Sequence, residues 1–151
     1  TIAASKAGIP IDIDKILKAY EALTNRHDFV VVEGVGGLMV PIDDTLFVAD
    51  LACKMDLPLV IVSRDYLGTI NHTLLTIEYA RNRNLRIKGI VINMLKNEDG
   101  LVREIEKYSS APVLGTIPFK ENVSVEDCVY GDIVEDFRRE IDISKIMRKE
   151  T

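Results

Sequence analysis

The 151-residue chain has little cysteine, no excess of basic charge and no long apolar run. Its two cysteines, Cys53 and Cys128, are too few for a disulfide framework or a cysteine-cluster metal site. With 19 basic and 24 acidic residues the net charge is −5, which argues against a nucleic-acid partner because such partners require a clustered basic face. Every apolar run is shorter than the roughly 18 residues needed to span a bilayer. We therefore expect a cytoplasmic protein that has neither a membrane nor a nucleic-acid partner.

Several catalytic motifs are also missing. The sequence contains no G-x-x-x-x-G-K-[ST], so it has no P-loop that could cradle the phosphates of a nucleotide. It contains no G-x-S-x-G and no Cys/His nucleophile constellation. We therefore assign no catalytic residue. These 151 residues could contribute to a nucleotide site, but they could not complete one.

Short apolar runs alternate with segments of helical periodicity along the chain. Strands are predicted at 29–33 (FVVVE), 58–62 (PLVIV), 87–93 (IKGIVIN) and 113–117, and helices over about 11–25, 45–55, 69–83, 99–109 and within 129–148. Apolar β-branched runs are typical of strands buried on both faces. Strands joined by helical crossovers predict an α/β fold with a doubly wound, mostly parallel sheet and helices on both faces. We expect residues 1–151 to form a single domain.

In such a sheet, ligands bind beyond the carboxyl ends of the strands, and Glu33 is predicted to lie there. It follows the first apolar run and precedes the glycine-rich segment 34–37. A carboxylate at this place could hold a hydrated magnesium ion, which prefers oxygen ligands. The glycines would let backbone N–H groups approach a phosphate closely. The alternative is a solvated acid followed by ordinary turn glycines.

Two other strand ends carry candidate binding residues. Thr69, in the segment L-G-T-I-N-H at 67–72, is a predicted N-cap, and the first turn of its helix could bind a carboxylate or phosphate. Ordinary helix capping is the alternative. Asn93 ends the third predicted strand and Pro118 follows the fourth, and together they could recognise the edge of a purine base. Each of these two residues is, on its own, more often a turn former.

Five motifs taken together resemble dethiobiotin synthase, a family of P-loop ATPases. They are VVVEGVGGLMVP at 30–41, DT at 44–45, LGTINH at 67–72, GIVIN at 89–93 and GTIPF at 115–119. The resemblance implies a P-loop NTPase-like fold and a ligase that uses magnesium and ATP. Such an enzyme closes a cyclic urea from 7,8-diaminopelargonic acid and carbon dioxide, through a carbamate and a carbamic-phosphoric anhydride. The product, dethiobiotin, belongs to biotin biosynthesis.

The resemblance also implies which residues bind which ligand. The nucleotide and its metal would be bound by Glu33, Gly34, Val35, Gly36, Asn93, Met94, Pro118, Phe119 and Lys120. Within this set, Glu33 resembles the family's acidic magnesium ligand, and Asn93 resembles the asparagine that recognises adenine. The substrate carboxylate would be received at the start of a helix by Gly68, Thr69, Ile70 and Asn71. In the family this helix start reaches the site of the neighbouring subunit, so the resemblance implies a homodimer.

One departure from the family is substantial. Its P-loop, catalytic lysine and second magnesium-binding acid have no counterpart in the chain. We therefore expect the chain to be the C-terminal two-thirds of a dethiobiotin synthase domain and to be inactive alone. Two alternatives remain open: another amide-forming P-loop ligase of the cobyrinic acid amide synthase type, and a non-catalytic α/β module that dimerises.

Overall fold

The computed structural model describes residues 2–96, 100–124 and 126–148. Two compact units divide the chain: Thr1–Leu57 with Tyr79–Leu85, and Pro58–Glu78 with Arg86–Thr151. Within the described ranges, no helix is both long enough and apolar enough to cross a membrane. In chain order the elements are α1 (Ile2–Ala7), α2 (Ile13–Thr24), α3 (Val48–Lys54), β1 (Leu59–Arg64), α4 (Thr69–Asn82), β2 (Ile87–Leu95), α5 (Leu101–Ser109), β3 (Val113–Pro118), α6 (Ile133–Glu140) and α7 (Ile143–Met147).

The second unit is built on a parallel three-stranded sheet in the order β1-β2-β3. Residues 60–64 of β1 pair in continuous register with residues 89–93 of β2, and Leu95 of β2 pairs with Pro118 of β3. The predicted α/β class with a parallel sheet is confirmed. The predicted helices are also present, although residue 99, where the fourth was expected to begin, lies outside the described residues. Parallel pairing brings the carboxyl ends of all three strands to one edge.

Helices cover both faces of this sheet, as the sequence predicts. Ile90 and Ile92 of β2 are fully buried on one face, in a cluster that includes Ile77 of α4 and Ile105 of α5. The intervening Val91 points to the opposite face, because successive side chains of a strand alternate. There it belongs to a second cluster with Leu114, Ile117 and Ile141, against which Ile133 of α6 and Ile146 of α7 pack.

The strand predicted at 29–33 is not formed, and this prediction is wrong. Within the described part of the chain, residues 29–33 belong to no strand, and the side chains of Val31 and Val32 are 81% and 42% exposed. A β-branched run indicates a preference for a pleated, half-buried surface. A strand also requires a neighbouring backbone for its hydrogen bonds, and the run itself does not specify that neighbour. Glu33 therefore follows irregular chain rather than a strand.

In the first unit, carboxylates define the starts of two helices. Asp12 precedes α2, and its side chain accepts a hydrogen bond from the Lys15 N–H at 2.9 Å. At the start of α3, the Phe47 N–H donates to the Asp50 carboxylate at 2.8 Å. Asp50 also forms an ion pair with Arg83, which belongs to the same unit. Side-chain acceptors of this kind satisfy N–H groups that have no carbonyl partner within the helix.

Candidate functional site

Asp65 joins the carboxyl ends of β1 and β2. Its N–H donates to the carbonyl of Asn93 at 3.1 Å, and its carboxylate accepts from the N–H of Lys96 at 2.9 Å. These two bonds hold the turn between β1 and α4 against the segment that contains Asn93. Asp65 is not among the site residues predicted from the sequence. Its place shortly after the predicted strand 58–62 was the signal that could have identified it.

Asn93 and Met94 have a fixed geometry at the end of β2. The side-chain oxygen of Asn93 accepts a hydrogen bond from the Met94 N–H at 2.9 Å, and Met94 has a φ of +56°. Both side chains are half-buried. Because the carboxamide oxygen is engaged, the orientation of the Asn93 amide is set, and its NH₂ group is the part suited to donate to a ligand.

Phe119 lies beside this segment. Its N–H donates to the carbonyl of Leu95 at 2.9 Å. The Lys96 ammonium lies 4.9 Å from the centroid of the Phe119 ring. The Phe119 side chain is 40% exposed. An exposed aromatic ring is a stacking surface for a nucleotide base. The edge of the sheet thus brings together the predicted nucleotide residues Asn93, Met94, Pro118, Phe119 and Lys120.

Lys120 is held by two acids, Asp132 at the N-cap of α6 and Asp136 within the helix. Its ammonium lies 2.9 Å from Asp132 and 2.8 Å from Asp136, and Asp136, only 3% exposed, also pairs with Arg139 at 2.5 Å. The hydrogen bond with Asp136 raises the pKa of Lys120, and the same bond lowers the pKa of Asp136. This role of α6 is not among the predictions made from the sequence. The four-residue spacing of Asp132 and Asp136, which places both on one helix face, was its signal.

The predicted carboxylate-binding residues lie at the start of α4. The helix begins at Thr69, so Thr69 is its first helical residue and the N-cap prediction is wrong by one position. Gly68, with a φ of +95°, takes the preceding place because a residue with a side chain rarely adopts that conformation. The N–H groups of Ile70 and Asn71 fall in the first turn, where no carbonyl within the helix can accept from them. Such groups attract an anion.

Two side-chain contacts fix the start of α4 in place. The hydroxyls of Ser63 and Thr73 lie 2.6 Å apart and are buried, which ties α4 to β1. The Tyr66 hydroxyl and the Nδ1 of His72 lie 2.5 Å apart, which ties the preceding turn to the first turn of the helix. Buried polar groups are stable when they are paired in this way. The first turn of α4 therefore has a defined position and direction.

Glu33 and its glycine segment belong to the first unit. Glu33 is exposed, and Gly36 has a φ of +74°. A Cβ at Gly36 would lie 3.0 Å from a methyl group of Val40, and one at Gly34 would lie 3.1 Å from a methyl group of Val48. The segment thus packs closely on the chain that follows it.

The acids of the described residues form no group of three or more that could hold a metal ion. A single exposed carboxylate still fits magnesium, which usually keeps several waters and takes one or two carboxylates together with substrate phosphates. Glu33 meets that requirement as a single ligand. Its oxygens are of the chemical type that magnesium prefers, and they are open to a hydrated ion.

Comparison with known proteins identifies a family for the chain. A family model described as an AAA domain matches residues 1–127. The chain belongs to this family. The chain is 37% identical over 150 residues to the ATP-dependent dethiobiotin synthetase BioD of Bacillus velezensis. The matched region covers 96% of the chain and 62% of that protein.

Two other relatives have the same name. Identity to the ATP-dependent dethiobiotin synthetase BioD of Anoxybacillus flavithermus is 42% over 135 residues, covering 85% of the chain and 61% of the relative. Identity to the protein of that name from Methanococcus aeolicus is 46% over 117 residues, and the matched region covers 77% of the chain and 55% of the relative. The chain spans about three-fifths of the length of the curated relatives it matches. The resemblance to dethiobiotin synthase indicated by the motifs is confirmed.

Proposed function

We propose that the chain is part of an ATP-dependent ligase that closes the cyclic urea of dethiobiotin from 7,8-diaminopelargonic acid and carbon dioxide. One observation carries the proposal beyond the similarity itself. The Asp65 bonds fix the segment that contains Asn93 against the turn before α4, which supports a base-recognising segment and an anion-binding helix start on the same chain. A nucleotide and a substrate with a carboxylate tail require that pair of features. A ligase whose substrate lacks a carboxylate would have no use for the start of α4.

The nucleotide in this proposal is ATP, and its adenine lies against the carboxyl ends of β2 and β3. The amide of Asn93 donates to the base, with Met94 beside it, while Pro118, Phe119 and Lys120 line the pocket. The resemblance to the family also assigns Gly34, Val35 and Gly36 to nucleotide binding. Because the sequence has no P-loop motif, the phosphate cradle is supplied from outside these 151 residues. In this proposal the chain forms the C-terminal two-thirds of the enzyme's domain and is inactive alone.

The carboxylate of 7,8-diaminopelargonic acid binds at the first turn of α4. The N–H groups of Ile70 and Asn71 donate to it, and the positive end of the helix dipole stabilises its charge. Gly68 permits a close approach because it has no Cβ, and Thr69 starts the turn with its side chain buried at 5% exposure. The helix start serves the site of a neighbouring subunit, so the enzyme is a cytoplasmic homodimer.

The chemistry passes through a carbamate. One amine of the substrate adds to carbon dioxide and loses a proton, and a carbamate oxygen then attacks the γ-phosphorus of ATP and displaces ADP. The second amine attacks the carbonyl of the resulting anhydride, closes the ring and expels phosphate. Negative charge accumulates on phosphoryl oxygens, so catalysis depends on positioned cations and backbone N–H donors. Magnesium bound at Glu33 would supply charge stabilisation there. The residues of this chain bind and orient the two organic substrates.

Calorimetric titration tests this function. The protein expressed from its complete reading frame should bind both 7,8-diaminopelargonic acid and magnesium ATP, and should form dethiobiotin in the presence of bicarbonate. The matched ligand is 2,3-diaminononane, which keeps the diamine and lacks the carboxylate, and it should bind much more weakly. Equal affinity for the two diamines would contradict the role of α4. Failure to bind 7,8-diaminopelargonic acid would refute the assigned substrate.

A further inference from the structure

We infer that Asp136 is a positioning residue that orients the segment 118–120 for recognition of the nucleotide base. The inference rests on the proposed function, since it concerns the same adenine pocket. It gives a role to α6, which lies beyond the residues matched by the AAA domain model.

The two acids that hold Lys120 differ in burial. The side chain of Asp132 is 57% exposed, and that of Asp136 is 4% exposed. An exposed ion pair contributes little to structure because water competes for both charges. A buried carboxylate without its cation is strongly disfavoured. The position of the Lys120 side chain is therefore determined mainly by Asp136.

The far end of α6 is attached to β3 itself. A Cβ on Gly115 would lie 2.0 Å from the carbonyl oxygen of Glu140, so the helix end approaches the strand backbone directly. The Asp142 N–H donates to the carbonyl of Leu114 at 3.3 Å, and Ile141 is 4% exposed. Because α6 is fixed on β3 at this point, Asp136 holds Lys120 from an anchored position.

Phe119 lies between two anchors as a result. On one side its backbone N–H is bound to the carbonyl of Leu95. On the other side the next residue, Lys120, is bound to Asp136. The Lys120 ammonium is thus directed to α6, and the exposed ring of Phe119 is left to face the base. Loss of the Asp136 charge would leave Lys120 with only the exposed Asp132 as its partner and would loosen the ring on the base side of the pocket.

The test compares Asp136→Asn with Glu140→Gln in the protein expressed from its complete reading frame. Glu140 is the matched control because it is an acid of the same helix that pairs with Arg139 rather than Lys120. Affinities for magnesium ATP, inorganic tripolyphosphate and 7,8-diaminopelargonic acid are measured by calorimetry. For Asp136→Asn we expect the dissociation constant of ATP to rise about five- to tenfold, because a charge-assisted contact is lost. Tripolyphosphate and the diamine should change less than about twofold, and Glu140→Gln should match the wild type.

The outcomes separate this inference from the proposed function. An equal loss of affinity for all three ligands, or no loss for ATP, would overturn the positioning role and leave the function standing. A wild-type protein that binds no ATP would overturn both. If Asp136→Asn does not fold, Lys120→Gln replaces it, because this variant removes the cation that pairs with Asp136 and should show the same loss for ATP alone. Unchanged ATP affinity in Lys120→Gln would equally overturn the inference.

Discussion

Substitution of Gly115 by alanine should destabilise the second unit strongly. Gly115 lies in the middle of β3 with a φ of +157°, and an added Cβ would lie 2.0 Å from the Glu140 carbonyl oxygen and 2.7 Å from the Ile141 side chain. The oxygen is backbone, so it cannot turn aside as a flexible side chain would. Either α6 moves away from the sheet or β3 bends.

The magnitude follows from these contacts. Overpacking a filled core costs about 1–3 kcal/mol. A backbone conformation that side chains rarely adopt adds about 1–3 kcal/mol. The lower entropy of the unfolded alanine chain offsets less than about 1 kcal/mol. We expect a net loss of about 2–4 kcal/mol, which is a large part of a typical stability of about 5–15 kcal/mol.

Urea unfolding followed by far-ultraviolet circular dichroism measures this loss. With a slope of about 2 kcal/mol per molar urea, the midpoint of Gly115→Ala should fall by about 1–2 M. Gly37→Ala is the matched control, because a Cβ there meets no atom within 4 Å. It should change the stability by no more than about 0.5 kcal/mol. Equal midpoints for the two variants would refute the contact between α6 and β3.

Three further predictions concern the candidate site and its charges. Asn71→Pro removes one of the two backbone N–H donors, and proline is tolerated in the first turn of a helix, so it should weaken binding of 7,8-diaminopelargonic acid about tenfold and leave ATP affinity unchanged in calorimetry. A selective loss of ATP affinity would mean that the two pockets are assigned the wrong way round. Glu33→Gln should lower magnesium-dependent turnover about tenfold or more without changing the urea midpoint, whereas Asp28→Asn, a nearby exposed acid, should not; unchanged turnover would exclude a metal role. Acidification should weaken the native state through Asp136, whose folded pKa lies below the ordinary value of 3.8 because of its hydrogen bond with Lys120. This contribution is present above that ordinary value and is lost as the pH falls through the lower, folded value, so thermal unfolding of Asp136→Asn should depend less on pH below about 4 than that of the wild type.

The sequence predicts the sheet well because hydrophobic burial leaves a periodic record. β2 is predicted correctly because both of its faces are covered by helices. Every position from Gly89 to Ile92 is therefore small or apolar. α4 is predicted from the helical spacing of its apolar residues, and Ile77 is fully buried, as that spacing requires. The strand predicted at 29–33 is wrong because residue type indicates only a preference for burial. Strand formation also requires backbone hydrogen bonds to another segment, which the residues of the run do not specify.

The candidate site can be predicted only in part from the sequence, for a different reason. Strand ends are visible in the sequence, so Asn93 and Phe119 are found by their place after apolar runs. The places of Asp65 and Asp136 are visible in the sequence, but their roles, like that of Lys96, depend on partners distant in sequence: Asp65 bonds to a residue 31 positions away. Exposed polar residues are common in any chain, and only the fold determines which of them form contacts with each other.

The interactions that build the fold and those that orient the site are largely separate. Neither core cluster contains Asp65, Asn93, Phe119 or Lys120, which are held by directional hydrogen bonds and ion pairs at the edge of the sheet. Such bonds define an orientation but contribute little net stability, since water satisfies the same groups in the unfolded chain. Substitutions at this edge should therefore alter ligand binding before they alter unfolding. Gly115 is the exception, because the strand that carries it fills the core and also holds the helix that fixes Lys120.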